Sequence, residues 1–311
     1  GRGATIMLTG RRVEPGIEYP QFGAVAARLL GSDTDELPGH MQISPTGGSG
    51  FNKQDAAFLG PRFASVTLAD GKPPPDLLRP AALLSEADQQ REALRKKLND
   101  RFARARRTAQ TDAYTESYDQ AAKVVARAAV FDGSRESPKV ADRYGRHDFG
   151  RHLLLARRLL ENGVTFVKVT HTNYDTHHEN FDFHIEQLGE FDRPFAALLD
   201  DLAERGMLKS TLVVVMSEFG RTPRINERYG RDHWSKAWSM ALAGCGVKAG
   251  AVVGKTNANG TAVTDREVHG GHLFHTYLKA LGLDPKKNFY PNDRPVPVAD
   301  PKATAITEIL A

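Results

Sequence analysis

The sequence predicts an α/β fold with a mostly parallel sheet and a helical insert, and three observations carry that reading. The runs V-T-F-V-K-V-T at 164–170 and T-L-V-V-V-M at 211–216 are almost wholly apolar and rich in β-branched residues, the pattern of strands covered on both faces. Between them, Phe181, Ile185, Leu188, Phe191, Phe195, Leu198 and Leu202 recur at helical spacing. Strand, helix, strand in that order predicts a right-handed parallel crossover. The third observation is a change of composition at 85–129 to Ala, Leu, Gln, Glu, Arg and Lys, the residues most at ease in helices. A chain of 311 residues with 40% hydrophobic composition can bury the core of one large domain, with 81–130 as a smaller helical insert within it.

Taken in order, 4–8 reads as the end of a helix stopped by Gly10, and 22–31 as a helix ending at Gly31. Residues 32–80 are rich in Gly, Pro, Ser and Asp, with P-T-G-G-S-G at 45–50 and P-P-P at 73–75, and predict irregular surface with one short strand at 63–68. Ser85 is a plausible N-cap for the insert. Leu94, Leu98, Phe102 and Ala105 would face inward there, leaving Arg91, Arg95, Lys97, Arg101, Arg104, Arg106 and Arg107 outward. A helix at 149–162 stops at Gly163, and the helix at 181–205 contains Pro194, which should kink or split it. A third strand at 238–243, a helix at 272–281 and a short apolar tail at 306–310 complete the chain.

The charge balance excludes some function classes. With 42 basic and 38 acidic residues, the excess of +4 is far from the concentrated charge of a dedicated nucleic-acid binder. The basic face at 91–107 is interleaved with Glu92, Asp100 and Glu116 and lacks stacked aromatics, so it reads as a solvated helix face; no nucleic-acid partner is expected. A single cysteine, Cys245, rules out an intrachain disulfide or a cysteine zinc site. No apolar run is long enough to span a membrane. The chain starts at Gly1 instead of Met and reads as cut away at its beginning, so a missing export signal says nothing about compartment.

Polar clusters sit where the predicted strands end. Asp175 and His177 follow the first strand, Glu218 follows the second, and Asp232-His233 precedes the third. Ligands of open parallel α/β sheets bind beyond the carboxyl ends of the strands, so the first three would emerge on one edge. His233 joins them only if the third strand is antiparallel or its loop folds back. Two imidazoles with carboxylates predict a divalent metal ion, with Zn, Mn or Fe preferred over Ca or Mg. The same residues also admit blander readings. Asp175 and His177 could form a local Asx turn, Asp232 could orient a His packed beside Trp234, and Glu218 could pair with Arg221. His269 and His272 in V-H-G-G-H form a second candidate pair, which reads better as a turn opening a helix. His171 and His178 could orient ligands, and His147 and His152 read as structural.

The runs L-L-A-R-R-L-L-E-N-G-V-T-F-V-K-V, Y-D-T-H-H-E-N-F, S-E-F-G-R-T-P-R-I-N and G-R-D-H-W resemble the bacterial family called domain of unknown function 1501. F-L-G-P at 58–61, F-D-G-S-R-E at 131–136 and the R-P-V-P tail extend the likeness over nearly the whole chain. That family is placed among alkaline-phosphatase-like and sulfatase-like proteins. The resemblance therefore implies a Rossmann-like three-layer sandwich, an extracytoplasmic location, and metal-dependent hydrolysis of phosphate or sulfate esters of small molecules or glycans. By the same resemblance, Asp175, His177 or His178, Glu218 and His233 fall at metal-binding positions; joined to the clusters above, the expected ligands are Asp175, His177, Glu218, Asp232 and His233, with Arg221 or Arg231 stabilising developing charge. Two departures stand out. Phe219 occupies a position where a metal-binding His is usual, and the nucleophile would lie upstream of Gly1. The alternative is an exported, non-catalytic metal-binding or surface-assembly protein that keeps the fold. A weaker one is a basic helical module binding polyanions through 91–107. Oligomeric state is left open by the sequence.

Overall fold

A computed structural model describes residues 1–45, 55–73, 83–106 and 109–311. The loop features expected at 46–50 and 74–75, residues 81–82 of the insert, and Arg107 lie outside the described residues. The protein is mixed α/β, with a three-stranded parallel sheet and, among the described residues, eight α-helices. No described helix is long and apolar enough to cross a membrane.

In chain order the helices are α1 (Arg2–Thr9), α2 (Phe22–Leu30), α3 (Ser85–Arg106), α4 (Ala109–Ala126), α5 (Pro138–Tyr144), α6 (Asp148–Glu161), α7 (Asn180–Glu204) and α8 (Gly270–Ala280). The longer strands are β1 (His40–Ser44), β2 (Val66–Ala69), β3 (Phe166–Val169) and β4 (Val213–Val215). After them come β5 (Gly220–Arg221), β6 (His233–Trp234) and β7 (Ala241–Ala243). Gly10 ends α1 in the left-handed conformation at φ 68°, and Gly163 follows α6 at φ 85°, which is why those helices stop where the glycines stand. The polypeptide forms two compact units: one holds Gly1–Phe22, Ser137–Leu154 and His171–Ala311, the other Gly23–Glu136 and Leu155–Thr170.

The unit containing Gly23–Glu136 is built on the parallel sheet, with β1 between β2 and β3. Met41 lies opposite Val66 and Val167, and Ile43 opposite Leu68 and Val169. Leu155, Leu159, Val124 and Val164 complete the core over them. The central strand was not expected from its sequence, H-M-Q-I-S, because only two of its five residues are apolar. The strand is nevertheless buried on both faces, His40 and Gln42 included, and the His40 ring bonds to the carbonyl of Phe63 at 3.1 Å. Beneath α6, the guanidinium of Arg157, 2% exposed, meets Glu136 at 2.9 Å and also pairs with Glu161. Arg158 reaches the same Glu136 at 2.8 Å and donates to the Val130 carbonyl at 3.0 Å.

Helix α3 turns a different face inward than the spacing predicts. Arg95 is the packed residue of α3: its side chain is only 14% exposed, with its guanidinium 4.3 Å from the Tyr118 ring centroid on α4. Leu94, Leu98 and Phe102 are 58%, 55% and 51% exposed. Arginine carries a long apolar stem and a flat head that stacks on tyrosine, so it can hold a helix seam that hydrophobic periodicity assigns to leucine.

In the other unit, Met7 of α1, Leu273 and Tyr277 of α8, and Ile306 and Ile309 form the core, with Val214, Trp238, Leu242 and Val268 packed against it. Strand β4 pairs antiparallel with β7, Val214 opposite Leu242, whereas β3 belongs to the parallel sheet. The expected parallel crossover through α7 is therefore not formed by described residues. The Val213–Val215 run is short and only half-buried, so continuous apolarity was a poor sign of parallel pairing. Among the described residues, parallel pairing is confined to the β2-β1-β3 sheet; the two-stranded pieces are antiparallel. Helix α7 runs through Pro194 without splitting, anchored by Tyr144, whose hydroxyl donates to Asp201 at 3.0 Å, and by Arg143 paired with Glu204 at 2.7 Å.

Candidate metal centre

Two stretches of chain build the site: residues 175–180 and the hairpin from β5 to β6. In the hairpin, Gly220 lies opposite Trp234 and Arg221 opposite His233. The loop between them is tied by the Thr222 amide to the Asp232 carbonyl at 2.9 Å and the Asp232 amide to the Thr222 hydroxyl at 3.1 Å. Asn226 sits at its centre. Its side-chain oxygen accepts from the amides of Arg228 and Gly230, both at 2.9 Å, and its amide nitrogen donates to the His177 carbonyl at 3.0 Å. Further backbone bonds join the stretches: the Arg231 amide to the Thr176 carbonyl and the Asn180 amide to the Tyr229 carbonyl, both at 3.0 Å. Gly230 is required at this crossing, because a Cβ there would overlap the backbone of His177.

This scaffold brings three donor atoms together. His233 Nε2 lies 3.0 Å from Asp175 Oδ1, His177 Nε2 lies 3.1 Å from the same oxygen, and the two Nε2 atoms are 3.1 Å apart. His177 Nδ1 meets Asp232 Oδ1 at 2.8 Å. A carboxylate only accepts, so Nδ1 carries the proton and the Nε2 lone pair of His177 points at Asp175 and His233. A lone pair aimed at a carboxylate oxygen and a second imidazole nitrogen suits a shared cation. Tetrahedral ligands at 2.0–2.1 Å from a zinc-sized ion stand about 3.3–3.4 Å from one another, so the triangle fits one with a small outward adjustment. Arg221 donates to Asp175 Oδ1 at 2.7 Å and, with His233, holds that carboxyl down at about 2, so it is charged throughout the physiological range. The hydrogen bond from His177 similarly lowers Asp232. The side chains of Asp175 and His233 are 73% and 50% exposed, which leaves the centre open to solvent on one side.

The family model described as "Protein of unknown function (DUF1501)" matches residues 1–310. The chain belongs to the DUF1501 family. No curated protein and no solved structure gives a significant match to it.

In this DUF1501 chain the motifs S-E-F-G-R-T-P-R-I-N and G-R-D-H-W are the two arms of one hairpin, and Y-D-T-H-H packs against its loop. The condition set for His233 is met twice over: β7 is antiparallel to β4, and the loop folds back. Asp175, His177 and His233 form the cluster, while Asp232 stands behind His177 as its orienting partner. Glu218 is exposed and lies outside the cluster. Its neighbour Phe219 approaches instead, its ring centroid 4.3 Å from that of His233. Arg221 is fixed by the carbonyls of Tyr174 and Arg231 at 2.8 and 3.0 Å, and Arg231 donates to the carbonyls of Thr222 and Pro223. Both arginines thus hold the hairpin together. His171 lies elsewhere, stacked 4.2 Å from Phe149 and bonded to Tyr174 at 2.9 Å. His178 packs edge-on against Phe183. His269 and His272 cap α8, with the Gly271 amide donating to His269 Nδ1 at 3.1 Å, so they open a helix as expected. The roles of Asn226 and Gly230 are not visible in the sequence; the local signal is an Asn, whose side chain readily bonds the amide two residues on.

Asp232→Ala should lower divalent-metal affinity by roughly 10–100-fold while leaving the fold intact, as loss of the carboxylate behind a ligating imidazole does elsewhere. Titration of the wild type and the variant with Zn²⁺ against a competing chelator checks this.

Proposed function

We propose that this protein holds one divalent transition-metal ion at Asp175, His177 and His233 and uses it to hydrolyse phosphate or sulfate esters. The observation that carries the reading is the triangle of two imidazole nitrogens and one carboxylate oxygen, 3.0–3.1 Å on each side, facing solvent. That donor set favours Zn or Mn over Ca or Mg, because imidazole suits the former and oxygen-only shells the latter. Three protein ligands with an open side are the arrangement of metal sites that act on substrates, whereas structural sites are closed. A bound ion would supply Lewis acidity toward an ester oxygen and an acidified water. The chain's own contribution is to hold the ligands. Asp232 fixes the tautomer of His177, and Arg221 keeps Asp175 ionised and presents a positive charge beside the open face. Arg221 suits charge stabilisation better than Arg231, because it alone of the two reaches a residue of the triangle, at Asp175, besides bonding to carbonyls. An alkaline-phosphatase-like sandwich, an extracytoplasmic location and an ester of a small molecule or glycan belong to the same proposal, resting on the motif resemblance.

Loading the purified chain with Zn²⁺ or Mn²⁺, desalting, and measuring metal by plasma mass spectrometry should find one ion per chain. His233→Ala should lose it, together with any hydrolysis of p-nitrophenyl phosphate or p-nitrophenyl sulfate. Substoichiometric metal in the wild type, or full retention in His233→Ala, would sink the metal site. Stoichiometric metal with no hydrolysis of either ester would remove the hydrolase half and leave the non-catalytic metal-binding alternative.

A further inference from the structure

Among the described residues two helices carry largely exposed apolar stripes, matched in length and opposite in charge, with the Arg231 guanidinium 5.6 Å from the Phe181 ring centroid at one end of the second. On α3, Leu94, Leu98 and Phe102 follow one another at intervals of four residues and are each more than half exposed. On α7, Phe181, Ile185 and Leu188 are 50%, 74% and 51% exposed. At 1.5 Å per residue the stripes extend about 12 and about 11 Å. Their surroundings differ. Between 91 and 104 there are six Lys and Arg against two acidic residues, with Lys97, Arg101 and Arg104 exposed beside the stripe. Between 179 and 192 there are five acidic residues and no Lys or Arg, with Asp182, Glu186 and Asp192 exposed beside the stripe. Leucine and phenylalanine held out in water on an ordered helix mark a surface that is covered in use.

We propose that the protein self-associates by laying the Leu94–Leu98–Phe102 stripe of one copy along the Phe181–Ile185–Leu188 stripe of another. The complement each stripe needs, an apolar ridge flanked by the opposite charge, is present in a second copy of this same chain. The two ridges interdigitate as ordinary helix seams do, with Lys97 and Arg101 facing Asp182 and Glu186 across the rim. One such seam is small beside the ~1,200–2,000 Å² that stable interfaces bury, so a weak, reversible association is expected.

Sedimentation velocity of the wild-type chain should show a dimer that dissociates on dilution and on raising salt. Leu98→Glu and Ile185→Lys should each give monomers with unchanged far-UV circular dichroism. The decisive arm is a charge swap. Lys97→Glu/Arg101→Glu alone and Asp182→Lys/Glu186→Lys alone should be monomeric, because each then opposes like charges, and an equimolar mixture should form heterodimers. A wild-type chain that stays monomeric overturns the proposal, as does a mixture without heterodimers. Dimers indifferent to Leu98→Glu and Ile185→Lys also overturn it. Sedimentation with phosphatidylserine vesicles that depends on Leu98, in a chain monomeric without them, would assign the α3 stripe to an anionic membrane surface instead.

Discussion

Gly230→Ala is expected to abolish metal binding and to destabilise the protein by about 3 kcal/mol or more, at or beyond the upper end of overpacking costs. The added methyl would meet the backbone of His177, with its carbonyl and the next amide, and no side chain there can swing aside. The hairpin loop and residues 175–178 must separate. That breaks the Asn226 bond to the His177 carbonyl and displaces an imidazole whose partners lie 2.8–3.1 Å away. Gly189→Ala is the control. It stands within α7 with nothing in reach of the new methyl, so it should stabilise by about 0.5–1 kcal/mol through helix propensity and leave metal binding alone. Urea unfolding and metal titration of the two variants separate the effects; a Gly230→Ala protein that binds like the wild type would contradict the assigned contact.

Glu136→Ala is expected to cost about 1.5–3 kcal/mol, because it removes one of two carboxylates from the buried guanidinium of Arg157, leaving Glu161, and takes a partner from Arg158. Glu136→Gln, which keeps one acceptor, should cost less. The effect depends on pH in a defined direction. Burial alone would raise the Glu136 carboxyl, but the hydrogen bonds from Arg157 and Arg158 prevail and hold it below the ordinary range. A carboxyl depressed in the folded state stabilises fully above its unfolded value, about 4.3, and loses that stabilisation as pH falls through the folded value. The gap between the wild type and Glu136→Ala in urea midpoint should be constant near pH 7 and narrow below pH ~4. A gap that widens on acidification would contradict the assignment.

What the sequence made legible follows from how local each signal is. Helices α2 and α6 begin and end within a residue of expectation, since glycine stops and apolar spacing act within a few residues. Strand β1 was hidden because its burial is decided by β2 and β3, pairing partners far away in the chain. The β4 partner was misread for the same reason: apolarity reveals a strand but not its direction. On α3 a leucine stripe was assigned inward, and the arginine that packs in its place gives no periodic signal. At the site, Asp175, His177 and His233 were found because dense clusters of His and Asp near strand ends are conspicuous in any sequence. Glu218 sits in as suggestive a motif, yet its exposed side chain takes no part in the cluster. Whether a carboxylate joins a cluster is settled by the turn of the backbone after β4, which spacing does not encode. Asp232 was named as a ligand and stands one bond behind, a difference visible only once the His177 ring has a direction.

The Asn226 turn also counts residues. Its side chain binds the amides two and four positions on, and the Asp232 amide closes on Thr222 ten positions back. Surface loops commonly absorb an extra residue at little cost. Here one residue added between Asn226 and His233 would change the parity of β6, sending His233 to the opposite face of the ribbon and Asp232 to its place. The loop is exposed, but its length is as constrained as the identity of the histidine it delivers.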